Sequence, residues 1–153
     1  MAERKPPQNL EAEMSVLGCA FLTNYALDKI CEELDEEMFV SEANKRIFNA
    51  ICSLHQNNIP LDSATVKNEI EKKGSINIIG GIEYLSEVID SVITASNVDY
   101  YIEIVREKAL RRKLIEVTNK ITSSAYDEDS DTNDLIDDAE KKILSVTKSR
   151  KAV

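Results

Sequence analysis

Tryptophan is absent from the 153 residues, histidine occurs once, and there are only four glycines and three prolines. Chains of many short strands depend on frequent turn residues, so this shortage excludes most all-β architectures and favours helices. With five Tyr and three Phe as the only aromatic residues, the core has to be built from Ile, Leu, Val and Ala. No apolar run approaches the roughly 20 residues of a membrane-spanning helix. The opening Met1-Ala2-Glu3-Arg4-Lys5-Pro6-Pro7 has no apolar segment behind its charges and does not read as a secretory leader. Cys19, Cys31 and Cys52 are odd in number and far apart, and read as reduced thiols of a cytoplasmic protein.

The sparse residue types exclude chemistry as well. The glycines stand at positions 18, 74, 80 and 81, which fits neither a GxxxxGK[ST] phosphate loop nor a GxGxxG dinucleotide turn. One histidine cannot support a Ser-His-Asp or Cys-His arrangement at any convincing spacing. Cys52-x-x-His55 is the only metal-like spacing. A zinc site takes about four ligands, and Cys19 and Cys31 lie in helical patterns among apolar neighbours, so these read as buried thiols. The acidic tract 127–131 lacks the Gly and terminal Glu of a calcium loop. The expectation is no catalytic residue, no metal and no cofactor in this chain.

What is present is charge and helical periodicity. Twenty-eight acidic against nineteen basic residues give a net charge of −9, which disfavours phosphate binding and points to protein partners. Residues 1–8, with Pro6-Pro7, read as a flexible arm. From Leu10 the apolar positions 10, 14, 17 and 21 predict a helix with Glu11 and Glu13 in its first turn, where the helix dipole favours acid. Gly18 inside it predicts close approach of another backbone. A short helix is predicted over 25–34 with Asn24 as N-cap. A third is predicted from a Ser41 cap, carrying Ala43, Ile47, Ile51 and Leu54 on one face. A fourth, opened by Asp62 or Ser63, stops at Lys72-Lys73-Gly74. Residues 75–79 read as a loop with some β character, followed by a short helix through Tyr84, Leu85, Val88 and Ile89.

The pattern changes near residue 95. A helical stretch without Gly or Pro runs from about 97 to 125, roughly 40 Å at 1.5 Å per residue. The acidic turn follows, then a last helix capped by Asp131 or Thr132, with Leu135, Ala139, Ile143 and Val146 on one face. Two helices joined by a short turn predict an antiparallel hairpin. The expected architecture is all-α: a flexible arm 1–8, a compact helical globule 9–95, a long helical hairpin 96–147, and the start of a linker at 148–153. The long helix carries apolar residues on more than one face. Val98, Ile102, Val105 and Ala109 form one stripe, Leu110, Leu114, Val117 and Ile121 a neighbouring one, and Ile104 and Ile115 lie on another side. One partner helix covers one face, so the second predicts self-association. The basic stretch Arg106, Lys108, Arg111, Arg112 and Lys113 reads as a solvated face that can meet acidic residues of a partner.

Together these residues resemble the N-terminal domain of the bacterial replicative DNA helicase, the DnaB family. The resemblance rests on Pro6-Pro7-Gln8, Glu11-Ala12-Glu13-x-Ser15-Val16-Leu17-Gly18, Ile47-Phe48, Pro60-Leu61-Asp62, Gly80-Gly81-Ile82-Glu83-Tyr84-Leu85, Ala95-Ser96-Asn97, Tyr100, Ile104-Val105-Arg106-Glu107 and Arg111-Arg112. Each is weak alone; order and spacing make the set specific. The chain departs at Met14, where the family usually has Gln, at Asn44, where it often has His, and at Ile93, where it has Pro.

The resemblance implies hairpins that pair between subunits, pairs that assemble into a ring collar, and a collar that docks the C-terminal domain of primase. It places an ATPase motor, with its ATP and Mg, beyond residue 153. It implies primase contact or coupling at Glu11, Tyr84, Arg112, Ile115 and Ile121, with Tyr84 and Ile121 open to plain core packing. The candidate subunit-contact residues are Ile104, Leu110, Leu114, Val117, Ile136 and Ile143. A helicase loader is a further implied partner, and direct nucleic-acid binding by this chain is expected to be slight. The competing readings are a free-standing dimeric helical adapter and a weak nucleic-acid-binding module using residues 106–113.

Overall fold

Several helix starts in this chain are set by polar side chains at the cap. In the computed structural model, which describes residues 4–74, 77 and 79–149, Asn9 Oδ1 accepts from the Ala12 amide at 2.9 Å and opens α1 (Leu10–Cys19). Thr23 Oγ1 accepts from Ala26 N at 3.0 Å and opens α2 (Asn24–Glu33). The cap is therefore Thr23 and not Asn24: Thr23 keeps extended backbone angles while Asn24 has already entered the helix. Ser41 caps α3 (Glu42–Gln56) through Asn44 N at 3.2 Å. Asp62 and Thr65 form a reciprocal capping box at α4 (Ser63–Lys72), and Gly74, at φ +67°, follows its C-cap Lys73. Then come α5 (Ile82–Asp90), α6 (Val98–Ala125) and α7 (Thr132–Ser149), the last capped by Asp131 through Asp134 N at 3.1 Å. One 3-10 turn, Glu36–Met38, falls between α2 and α3, where the periodicity gave no element. No strand occurs among the described residues, and the fold is all-α as expected. The loop read over 75–79 and the linker read over 148–153 lie largely outside the described residues, as do the first three residues of the arm.

The chain divides into two units, residues 8–106 and residues 1–7 with 107–153, the division falling inside α6 between Arg106 and Glu107. In the first unit α3 packs on α4 and α1, and α5 packs on α1 and α4. Their buried side chains are mostly aliphatic: Val16 and Leu17 from α1, Ile47, Ile51 and Leu54 from α3, Val66 and Ile70 from α4, Leu85 and Val88 from α5. Val98, Ile102 and Val105, the first stripe of α6, complete this core. The aromatic contribution is small and local, a tilted Phe39–Phe48 pair with ring centroids 5.1 Å apart.

Two features fix how α1 sits in this core. Gly18 faces α5 so closely that a Cβ there would lie 2.6 Å from Val88 O and 2.6 Å from Ser91 Oγ. Glu13 is only 2% exposed, and its carboxylate collects three donors. Val40 N lies at 2.8 Å, Ser41 N at 3.3 Å and Asn44 Nδ2 at 3.0 Å. The carboxylate thus binds the chain entering α3, where Ser41 is already the cap. Its place in the sequence agrees with burial: positions 13, 16, 17 and 20 share a helix face, and Val16, Leu17 and Ala20 are apolar.

In the second unit the acidic turn is closed by Asp127, whose carboxylate accepts from Asp129 N at 3.2 Å and Ser130 Oγ at 3.2 Å. It joins α6 and α7 into the antiparallel hairpin. Val117 and Val146 are buried, and Leu110, Ile121, Leu135 and Ala139 are half-buried. Exposed surfaces of α6 carry the i,i+4 pairs Glu107–Arg111 and Glu116–Lys120, solvent-screened contacts of small effect.

Two stability measurements check this packing. Alanine at position 18 gains about 1 kcal/mol of helix propensity. It also overpacks against the Val88 carbonyl, a backbone group, at a cost of about 1–3 kcal/mol. Gly18→Ala is therefore expected to lower the urea midpoint with an unchanged slope. Glu13→Ala strands three donors, each unsatisfied buried group costing about 1–3 kcal/mol. It is expected to lose about 3 kcal/mol or more, and Glu13→Gln, which keeps a carbonyl acceptor, distinctly less.

Candidate interaction surfaces

In the unit of residues 8–106, the three site residues inferred from the sequence occupy different environments. Glu11 is exposed in the first turn of α1. Tyr84 is half-buried on α5, and its hydroxyl donates to Asn44 Oδ1 at 2.6 Å. Asn44 is thereby used from both ends of its amide, donating to Glu13 and accepting from Tyr84. A chain of hydrogen bonds so runs from a buried carboxylate on α1, through α3, to a partly accessible ring on α5. Burial raises the Tyr84 phenol above its ordinary pKa, so it stays a neutral donor at neutral pH. Ile104 is partly buried against the core of this unit.

The remaining site residues lie in the hairpin unit. Arg112 Nη1 donates to the Pro7 carbonyl at 2.8 Å and so holds the arm. Leu110 and Ile121 are half-buried and Val117 is buried within the unit. Leu114 and Ile115 on α6 are each 46% exposed; Ile136 and Ile143 on α7 are 53% and 39% exposed. Leu144, which the sequence reading passed over, is 56% exposed beside them. On α7, Leu135, Ala139 and Val146 form the better-covered stripe, while Ile143, grouped with them by spacing, stays largely accessible. A residue at i+8 from Leu135 is rotated further from that stripe than one at i+11.

The electrostatics of α6 follow from its own pairs. Arg111 lies 2.6 Å from Glu107, and its hydrogen bond and charge hold the Glu107 carboxyl below its ordinary range. Lys120 does the same for Glu116. Two cations of the basic stretch, Arg111 and Arg112, are thus engaged within the chain.

Among the described residues no group of three or more His, Cys, Asp and Glu side chains is placed to hold a metal ion. His55 Nε2 lies 2.9 Å from Asp28 Oδ1, and Cys52 Sγ lies 2.8 Å from Cys31 Sγ. Cys19 is buried, which pushes its thiol up to about 11, whereas Cys31 and Cys52 are only half-buried. Sequence reading missed two things here: the pairing of Cys31 with Cys52 and the role of Asn44. Neither leaves a local signal, because both partners come from separate helices. Glu13 did leave one, its position on an apolar face.

A family model described as the DnaB-like helicase N terminal domain matches residues 5–107. The chain is 39% identical over 149 residues to the replicative DNA helicase DnaB of Geobacillus stearothermophilus, covering 97% of this chain and 33% of that protein. It is 37% identical over 148 residues to the replicative DNA helicase DnaC of Bacillus subtilis (strain 168), with the same shares of 97% and 33%. The chain therefore spans about a third of the length of these curated relatives. Among solved structures, the N-terminal domain of DnaB helicase from Mycobacterium tuberculosis superposes with a TM-score of 0.86 at 36% identity, over 93% of this chain and 99% of that one. A DnaB-like replicative helicase, described with its interactions with primase, shares the fold at a TM-score of 0.73 and 21% identity, over 94% of this chain and 32% of that one. With the order of motifs, the all-helical fold and these matches in agreement, the chain belongs to the family of DnaB-like helicase N-terminal domains.

Proposed function

We propose that this chain is a non-catalytic assembly and docking domain of a hexameric replicative DNA helicase. Its hairpin pairs with the hairpin of another subunit, such pairs build a ring collar, and the collar receives the C-terminal domain of primase during DNA replication. The observation that carries this reading is the uncovered apolar surface of the hairpin. Leu114, Ile115, Ile136, Ile143 and Leu144 stay 39–56% exposed along two helices that already use another stripe for their own packing. Apolar side chains gathered in this way on a polar helix pair mark a protein interface.

Charge supports antiparallel pairing of two copies. The basic stretch 106–113 lies on one arm of the hairpin, and eight acidic residues between 126 and 140 lie on the turn and the other arm. Opposite signs steer association and set its register. Arg111 and Arg112 spend part of their donor capacity inside the chain, which favours protein over nucleic-acid contact for this stretch. On this reading ATP hydrolysis, with Mg, and strand translocation belong to the part of the relatives that this chain does not span. The protein works in the cytoplasm, and a helicase loader is a further partner. Primase docking is in keeping with the DnaB-like replicative helicase described with its interactions with primase, and the residues proposed for it are Glu11 and Tyr84 in the unit of residues 8–106 and, separately, Arg112, Ile115 and Ile121 in the hairpin unit.

Two measurements test the assembly and docking roles separately. In sedimentation velocity over a range of concentrations, Ile136→Glu with Ile143→Glu is expected to weaken self-association at least about tenfold, since truncated hot-spot contacts are worth 1–2 kcal/mol or more. Unchanged assembly with both charges in place would remove the hairpin as the interface. In a calorimetric titration with the matching primase C-terminal domain, Ile115→Ala is expected to weaken binding about tenfold while leaving helix content intact. Tyr84→Phe separates contact from support: it strands Asn44 Oδ1 and lowers stability, and it lowers affinity too only if the hydroxyl meets the partner. Absence of any saturable heat or co-migration would discard docking and leave assembly alone.

A further inference from the structure

Two side-chain contacts join α2 to α3 in the unit of residues 8–106. Asp28 Oδ1 lies 2.9 Å from His55 Nε2, and Cys31 Sγ lies 2.8 Å from Cys52 Sγ. Residues 28 and 31 share one face of α2, and 52 and 55 share one face of α3. The contacts run 28 with 55 and 31 with 52, so the helices are antiparallel here and are held at two successive turns. Both thiols are free, and neither residue is fully buried. Their sulfurs are less than about 1 Å farther apart than the ~2.05 Å of a disulfide bond.

The pair is also polarised. Cys52 donates its S–H to Cys31 Sγ. That hydrogen bond lowers the pKa of Cys31, outweighing burial and the nearby Asp28 carboxylate, which raise it, while donating the bond and burial both raise that of Cys52. Cys31 is the better thiolate and Cys52 the waiting thiol, the arrangement of an attacking and a resolving cysteine.

We propose that Cys31 and Cys52 form an oxidative modification site, which a peroxide converts to an intramolecular disulfide stapling α2 to α3. The Cys31 thiolate attacks one oxygen of hydrogen peroxide; the O–O bond breaks, hydroxide leaves and takes up a proton as water, and Cys31 becomes a sulfenic acid. Cys52 sulfur then attacks Cys31 sulfur; the S–S bond forms, the S–O bond breaks, and the hydroxyl leaves as water with the proton of Cys52. Two electrons pass from the thiols to the peroxide, which ends as two waters. The loop so closed, from position 31 to position 52, contains Val40, Ser41 and Asn44, the three residues that bind the Glu13 carboxylate. The staple therefore tightens the segment on which α1 is seated.

The test uses the reduced 153-residue chain and hydrogen peroxide in modest excess, with free thiols alkylated in denaturant and peptides mapped by mass without reductant. The expected product is one cross-linked peptide pair holding Cys31 and Cys52, with Cys19 alkylated. A rise in Tm of about 5–10 °C, reversed by dithiothreitol, accompanies it, as a loop of about twenty residues closed by a disulfide gives. Cys31→Ser and Cys52→Ser each abolish both signals, and Cys19→Ser leaves them. Sulfinic acid accumulating on Cys31 beside a free Cys52, a cross-link to Cys19 or between chains, or no reaction at a peroxide level that oxidises a small free thiol would each overturn the proposal.

Discussion

The Glu13 carboxylate is the interaction on which the helical globule turns. A carboxylate with 2% exposure is tolerable only if its oxygens are fully used. Here they bind two backbone amides at the entry to α3 and the amide of Asn44 in its first turn. A single side chain on α1 therefore positions the start of α3, and Asn44 passes that order on to Tyr84 of α5. Because removing any member strands the others, the network specifies one arrangement of three helices where an aliphatic core alone would permit several. Aliphatic side chains dominate this core, and they fill space without dictating orientation.

Close approach does the complementary work. Gly18 lets α1 meet the Val88 carbonyl of α5 and Ser91, the C-cap of that helix, at distances that no side chain would allow. The glycine sacrifices helix propensity at an interior position, and the compensation is contact between helices. Directed hydrogen bonding at Glu13 and backbone approach at Gly18 act on the same ten-residue helix.

The hairpin unit follows different physics. Its helices bury little, and the exposed surface of α6 carries i,i+4 ion pairs that solvent screens. The hairpin thus has few buried residues and keeps exposed apolar side chains on both helices, the feature on which the proposed pairing rests. A specified globule and a hairpin with residual apolar surface are what the proposed assembly role calls for. The paired thiols of Cys31 and Cys52 lie on the globule, so the chemistry proposed for them acts on its internal order.

The sequence alone determined the helical class, the Ser41 and Asp62 caps, the stop at Gly74, the close approach at Gly18 and the family, because these depend on local spacing and on motif order. It placed one cap a residue late, because Thr23 and Asn24 are both competent caps and only the backbone angles choose between them. It put Ile143 on one face with Leu135, Ala139 and Val146 and also among the subunit-contact candidates, and only the structure shows how far that face is covered. Tertiary structure decided which groups the Glu13 carboxylate binds and the use of Asn44 as the link between Glu13 and Tyr84. It also decided the meeting of Cys31 with Cys52. Each of these joins residues far apart in the chain, and no local pattern encodes which helix faces which; that is fixed only when the whole core packs.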